Sequence, residues 1–215
     1  MSSMSGQYEI HEYCGGLLAT NAYLLQGSEG SVLIDAPDGT AGWLQSIDVR
    51  PNHLLLTHLH FDHVYGAAGV LDWAGTECKV SAFAPEITSD LTLADFFKFT
   101  GSSFEVVPFE IDEILENVSA VQVVGQDLEV IHVPGHSPDS VCFFQRANRQ
   151  LFGGDVLMAG GVGRTDFPHG DGNLLASGVR DKILPLGDDV RVFPGHGPET
   201  TIGAERGMVQ MMLGV

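Results

Sequence analysis

The chain has 215 residues, 44% of them hydrophobic, which suffices for a full core and reads as one domain over residues 1–215. Ten Lys plus Arg against 28 Asp plus Glu leave a formal charge of −18, which repels phosphate backbones and anionic bilayers and argues against nucleic acid or membrane as partners. No stretch approaches the roughly 18 to 20 consecutive apolar residues of a membrane span.

From the N-terminus, apolar runs at 8–13, 22–26 and 31–35 predict strands, and two such runs separated by a glycine-containing turn predict an antiparallel hairpin. Residues 1–7 have neither a basic region nor an apolar core, so no secretory signal is expected. Pro37-Asp38-Gly39 breaks the chain, and 41–47 predicts a short helix before Pro51. His53-Leu54-Leu55-Leu56 predicts a buried strand, and 64–73 a short helix with Asp62 at its N-cap. A strand at 78–82 follows, then an apolar-rich helix or lid at 91–99. Further strands are predicted at 118–124, 128–133, 141–145 and 150–152, a helix at 173–183, a last strand at 190–193 and a closing helix at 202–213. Strands in two clusters separated by helices predict two sheets with helices outside. Cys14, Cys78 and Cys142 are odd in number and form no CxxC pair, so a reducing cytoplasm is the expected address.

Ligand-type residues concentrate in Thr57-His58-Leu59-His60-Phe61-Asp62-His63, past the 53–56 strand. His58 and His60, at i and i+2, point to one side if the backbone stays extended. Imidazole and carboxylate are donors that zinc, iron and manganese prefer. Three more predicted strands end on such residues, in Pro134-Gly135-His136, Gly153-Gly154-Asp155 and Pro194-Gly195-His196. Glycine beside each donor lets the backbone turn off the strand and approach a metal without a Cβ in the way. Proline at 134 and 194 prevents helix continuation, so His132 and His136 are not a helical i, i+4 pair. Four such strand ends predict one shared site. His11, His53 and His132 fall outside these positions and read as ordinary core or surface histidines, and His169 as a solvated loop residue.

His58-x-His60-x-Asp62-His63, with Gly135-His136-Ser137-Pro138, Gly153-Gly154-Asp155 and Pro194-Gly195-His196-Gly197, resembles the metallo-β-lactamase superfamily over residues 57–197. Gly163-Arg164-Thr165-Asp166-Phe167-Pro168 and Thr200-Thr201-Ile202-Gly203 resemble the glyoxalase II branch and its short bacterial relatives. The resemblance implies an α/β fold, an αββα sandwich of two mixed sheets flanked by helices, with a metal cleft along one edge. It also implies two divalent ions, zinc and/or iron. His58, His60 and His136 would hold one, Asp62, His63 and His196 the other, and Asp155 would bridge them. Asp62 and Asp155 are catalytic in that assignment.

The implied reaction is hydrolysis of a small thioester such as S-lactoylglutathione, with a metal-bridging hydroxide as nucleophile and no Ser-His or Cys-His pair. Two ions roughly 3.5 to 4 Å apart lower the pKa of a shared water towards about 7. The alternative is an iron-dependent dioxygenase acting on glutathione persulfide, whose family members share Arg164-Thr165-Asp166-Phe167 and use the positions of His58, His136 and Asp155. His60 stands where oxygen-reducing flavodiiron relatives carry glutamate. Arg164 is either a substrate-binding cation or a buried structural partner of Asp166, and both readings stand at this point. Full-length glyoxalase II enzymes append a helical domain that helps grip glutathione, whereas residues 197–215 have room for one helix. A weak hold on the thiol half, and so a high KM, is expected.

Overall fold

The computed structural model describes residues 8–83 and 106–213. Among the described residues, twelve strands form two sheets of six. The first holds β1 (Tyr8–Gly15), β2 (Thr20–Gly27), β3 (Gly30–Ile34), β4 (His53–Leu55), β5 (Lys79–Ala82) and β6 (Glu113–Ile114), side by side in chain order. β1 to β3 pair antiparallel, and β3 to β6 pair parallel. The second runs in reverse chain order and comprises β7 (Ala120–Val123), β8 (Gln126–His132), β9 (Val141–Gln145), β10 (Gln150–Gly154), β11 (Arg191–Pro194) and β12 (Thr200–Thr201). Its pairs are antiparallel except β10 with β11.

Alternation along the strands builds the layers. On β2, Tyr23 and Leu25 face the second sheet, while Ala22 and Leu24 face the helices on the outer side. On β9, Val141 and Phe143 enter the layer between the sheets, and Cys142 and Phe144 pack outward. Strands buried on both faces read as unbroken apolar runs, which is why 53–56 and 141–145 carry no polar alternation. The outer face of the first sheet is covered by α1 (Thr40–Ser46) and α3 (Ala67–Ala74), through Leu44, Ala67 and Val70. α4 (Gly172–Gly178) and α5 (Ile202–Leu213) cover the second, through Leu175, Ile202 and Val209. Two mixed sheets between helical layers are the expected αββα sandwich.

Several boundaries differ from expectation. The predicted 64–73 helix is two, α2 (Phe61–Val64) and α3, because the Gly66 amide turns back to donate to the Ala36 carbonyl at 2.7 Å. The 173–183 helix changes character after Gly178, passing through a π turn (Val179–Ile183) into a 3-10 turn (Leu184–Leu186). The Asp171 side chain caps its start, accepting from the amides of Asn173 and Leu174. β6 and β12, two residues each, were not anticipated. The apolar segment at 91–99 lies outside the described residues. No described helix is long and apolar enough to cross a membrane.

Candidate metal centre

All seven predicted donors meet at one edge of the sandwich. Four of them, His58, His60, Asp62 and His63, come from the turn and short helix after β4. His136 follows β8, Asp155 follows β10, and His196 follows β11. Donor atoms fall into three overlapping groups, His58/His60/His136, His58/His63/Asp155 and Asp62/His63/His196, each with its atoms within 4.8 Å of one another. Asp155 spans the cluster: Oδ1 lies 3.4 Å from His63 Nε2, and Oδ2 lies 3.4 Å from the Nε2 atoms of both His136 and His196. His196 Nε2 is 3.3 Å from Asp62 Oδ2.

The expected N-cap at Asp62 is a correction. His60 is the N-cap of α2 and makes no side-chain capping bond, and Asp62 sits inside the first turn. Its carboxylate turns into the cleft instead, where Oδ2 accepts from Thr20 Oγ1 at 2.7 Å. Tertiary contact has overridden local capping preference.

Hydrogen bonds on the outward ring nitrogens aim the inward ones. His63 Nδ1 is 2.8 Å from Asp35 Oδ2, His136 Nδ1 is 2.8 Å from the Arg164 carbonyl, and His196 Nδ1 is 3.2 Å from the Leu18 carbonyl. Each therefore presents Nε2 to the centre, the arrangement that orients metal-ligating histidines. Gly195 makes the approach of β11 possible, since a Cβ there would sit 2.3 Å from Asp155 Oδ1 and 2.6 Å from His63 Cε1.

The electrostatics divide the cluster in two. Burial, and then the neighbouring imidazoles, push His58 well below the usual histidine range, and burial followed by His136 takes His60 down to about 3. Those two imidazoles are neutral near pH 7. In the other half burial is outweighed: hydrogen bonds to Asp155 and Asp62 bring His196 up to about 10, and the Asp62, Asp35 and Asp155 carboxylates hold His63 well above its ordinary value. Asp62 is held at about 2 against burial, chiefly by His63, and Asp155 is likewise held well below the carboxylate range. Buried His58 Nε2, His63 Nε2 and Asp155 Oδ1 have no hydrogen-bond partner. Unpaired buried polar atoms each cost about 1–3 kcal/mol, and cations satisfy all three at once, so the residues present fit divalent metal.

Residues 15–196 match the family model for the metallo-beta-lactamase superfamily. The chain belongs to that superfamily. Hydroxyacylglutathione hydrolase GloC of Haemophilus influenzae is 36% identical over 199 residues, covering 86% of this chain and 89% of the relative. Among solved structures, the B3 metallo-beta-lactamase BLEG-1 superposes with a TM-score of 0.83 at 34% identity, covering 93% of this chain and 97% of the other. TTHA1623, in a di-iron-bound form, superposes with a TM-score of 0.76 at 33% identity, covering 91% and 96%. Membership supports a metal-dependent hydrolase, and the sandwich is the superfamily fold.

The metallo-beta-lactamase cleft of this chain holds about 300 Å³ beside the donors, walled by Leu18, Phe61, Met158, Arg164 and Phe167. Arg164 does pair with Asp166, Nε to Oδ1 at 2.9 Å and Nη2 to Oδ2 at 2.7 Å, but the pair is exposed and not buried. Its guanidinium also lies 4.5 Å from the centre of the Phe167 ring. His53 bonds Ser81 Oγ and His132 the Pro138 carbonyl, both away from the donors, and His11 lies beside Glu9. His169 is exposed on its loop.

Sequence reasoning missed the residues that hold the donors. Asp35 accepts from Thr57 N and Thr57 Oγ1, each at 2.8 Å, as well as meeting His63. Asp139 Oδ2 accepts from the Leu59 amide at 2.8 Å and pins the His58–His60 turn. Thr20 and Asn21 reach across from β2. One signal was available: Thr20-Asn21 is a polar pair at the head of an apolar strand.

Proposed function

We propose that this chain is a thioester hydrolase with a binuclear metal centre, acting on a small acyl thioester of which S-lactoylglutathione is the nearest candidate. The observation that carries the reading is seven convergent donors, three of them with buried unpartnered atoms, opening onto a cleft walled largely by apolar side chains. His58, His60 and His136 would hold one ion and Asp62, His63 and His196 the other, with Asp155 between. Imidazole and carboxylate suit both zinc and iron. Such ions lower the pKa of water and offset the negative charge that develops on a carbonyl oxygen.

The remaining work falls to the chain's own residues. Asp62 and Asp155 supply the two carboxylates of the seven-donor set, and their depressed pKa values keep them ionised at neutral pH. Leu18, Phe61, Met158 and Phe167 shield the reacting carbonyl from bulk water. Arg164 stands at the rim and can exchange Asp166 for a carboxylate of the substrate. A thiolate leaving group, with a conjugate acid near about 8.5, needs no strong general acid, and none is required of the protein. The relationship to GloC supports the glutathione thioester in particular.

The test is loss of thioester absorbance under nitrogen with zinc-loaded protein. Turnover of S-lactoylglutathione without oxygen is expected. Activity that appears only with iron and consumes oxygen on glutathione persulfide would replace the hydrolase with a dioxygenase.

A further inference from the structure

One short segment ties down half of the centre. Thr20 Oγ1 donates to Asp62 Oδ2 at 2.7 Å. Asn21 N donates to the Gly195 carbonyl at 2.7 Å, and Asn21 Nδ2 to the carbonyls of Pro194 at 3.0 Å and Gly197 at 2.8 Å, so the backbone on both sides of His196 is anchored. Thr20 also forms a β-bridge with His196 itself, and two residues earlier the Leu18 carbonyl meets His196 Nδ1. Thr20 and Asn21 are 0% and 2% exposed, at the head of a strand whose next four residues are buried. Polar groups buried that deeply are stabilising only where every one is paired, and here the partners carry Asp62 and His196. The other half is held from elsewhere, His136 by the Arg164 carbonyl and His58 through Thr57 Oγ1.

The geometry points to Thr20 and Asn21 as positioning residues that set the occupancy of the Asp62–His63–His196 half of the centre while leaving the His58–His60–His136 half intact. This rests on the binuclear reading above. A short carboxylate side chain turns freely about its torsions unless something fixes it. The Thr20 hydroxyl fixes Oδ2 of Asp62 facing His63 and His196, at 3.5 and 3.3 Å from their Nε2 atoms. Without that donor the carboxylate must be ordered at the moment an ion enters. The cost falls on the ion bound there and on no other.

Thr20→Val removes the hydroxyl, keeps the volume and remains a good strand residue. Zinc is titrated into metal-free wild type, Thr20→Val and Thr20→Ser against a chromophoric chelator, with circular dichroism and melting of each metal-free protein alongside. Wild type is expected to show two sites. Thr20→Val should weaken one of them by about 10- to 100-fold, the usual effect of losing a partner one shell out from a metal, and leave the other within about twofold. Thr20→Ser should restore the weakened site. Thr20→Ala carries the same expectation and replaces Thr20→Val if that variant melts below the assay temperature. Equal weakening of both sites, or no change in either with a native fold, overturns the role of Thr20. A wild type that takes up one ion only overturns the binuclear reading beneath it, and the two failures are distinguished by the wild-type titration.

Discussion

Gly195 and Gly197 flank His196, and alanine at each should fail in a different way. At Gly195 the backbone is ordinary, but an added Cβ would lie 2.3 Å from Asp155 Oδ1 and 2.6 Å from His63 Cε1. Ordinary non-bonded contact begins at about 3.5 Å, so the donors or the strand must give way by about 1 Å. Neither neighbour is free to move, because Asp155 and His63 are buried and His63 is held by Asp35. Misplacing a reacting group by that much costs about 100-fold in rate, and overpacking a tight site costs about 1–3 kcal/mol. At Gly197 the conditions are reversed: φ is +74°, which strains any L side chain, and nothing lies within 4 Å of the added Cβ. That strain is worth about 1–2 kcal/mol and a fall in Tm of a few degrees. Elemental analysis, melting and thioester turnover on both variants separate the two. Gly195→Ala should lose metal and at least about 100-fold in turnover, and Gly197→Ala should be less stable but metal-replete and active. Gly195→Ala with full metal content and native turnover would refute the close-approach argument.

Asp35→Asn keeps the shape of a side chain that accepts from Thr57 N, Thr57 Oγ1 and His63 Nδ1, but it points an amide donor at one of them. If His63 turns its proton to Nε2 in response, it can no longer ligate, so metal affinity should drop about 10- to 100-fold by chelator competition; unchanged affinity would show that the tautomer is fixed by something else. Metal uptake should release protons, because His196 titrates near about 10 and is charged at neutral pH in metal-free protein. A raised pKa means the proton is present below that value, so affinity of the Asp62–His63–His196 half should climb with pH up to about 10, about tenfold per unit for each proton displaced. His60, taken down to about 3, and His58, pushed well below the usual histidine range, have no proton to lose near neutrality, so those two donors should add nothing to the release; calorimetry in buffers of different ionisation enthalpy counts the protons. Among the thiols, burial pushes Cys142 up to about 12, and burial with Asp112 pushes Cys78 up to about 11, whereas Cys14 is exposed. A thiol reagent at about pH 8 should label Cys14 at once and the others only after unfolding, and prompt labelling of all three would contradict this packing.

What was legible in the sequence had a local pattern. The runs at 53–56 and 141–145 announced strands buried on both faces, and each donor announced itself by standing at a strand end beside a glycine. Contacts between distant segments left no such pattern. Asp35 meets His63 across 28 residues and Thr20 meets Asp62 across 42, and neither segment names its partner. Asp62 was misread as a cap for the same reason, since its carboxylate answers to Thr20 and not to its own helix. β6 and β12 are two residues long, too short for any periodicity to register. The Arg164–Asp166 pair was foreseen by proximity in the chain, but its exposure depends on how the 163–168 loop lies on the finished sandwich.

The division of donors explains why the centre and the core between the sheets behave as one unit. Four donors belong to the first sheet and three to the second, so the cluster exists only once the sheets have closed on each other. Tyr23 makes the closure, crossing from the first sheet to meet Phe193 edge-on at 5.4 Å and Phe152 at 5.7 Å, while those two rings stack on each other at 5.0 Å within the second. Tyr23 then donates from its hydroxyl to the Pro194 carbonyl at 2.7 Å, two residues before His196. An aromatic seam buried for the hydrophobic effect thereby fixes the start of the loop that carries a donor. Packing and ligation are thus coupled through one strand end, and an ion that binds only the closed arrangement adds its binding free energy to the stability of the whole sandwich.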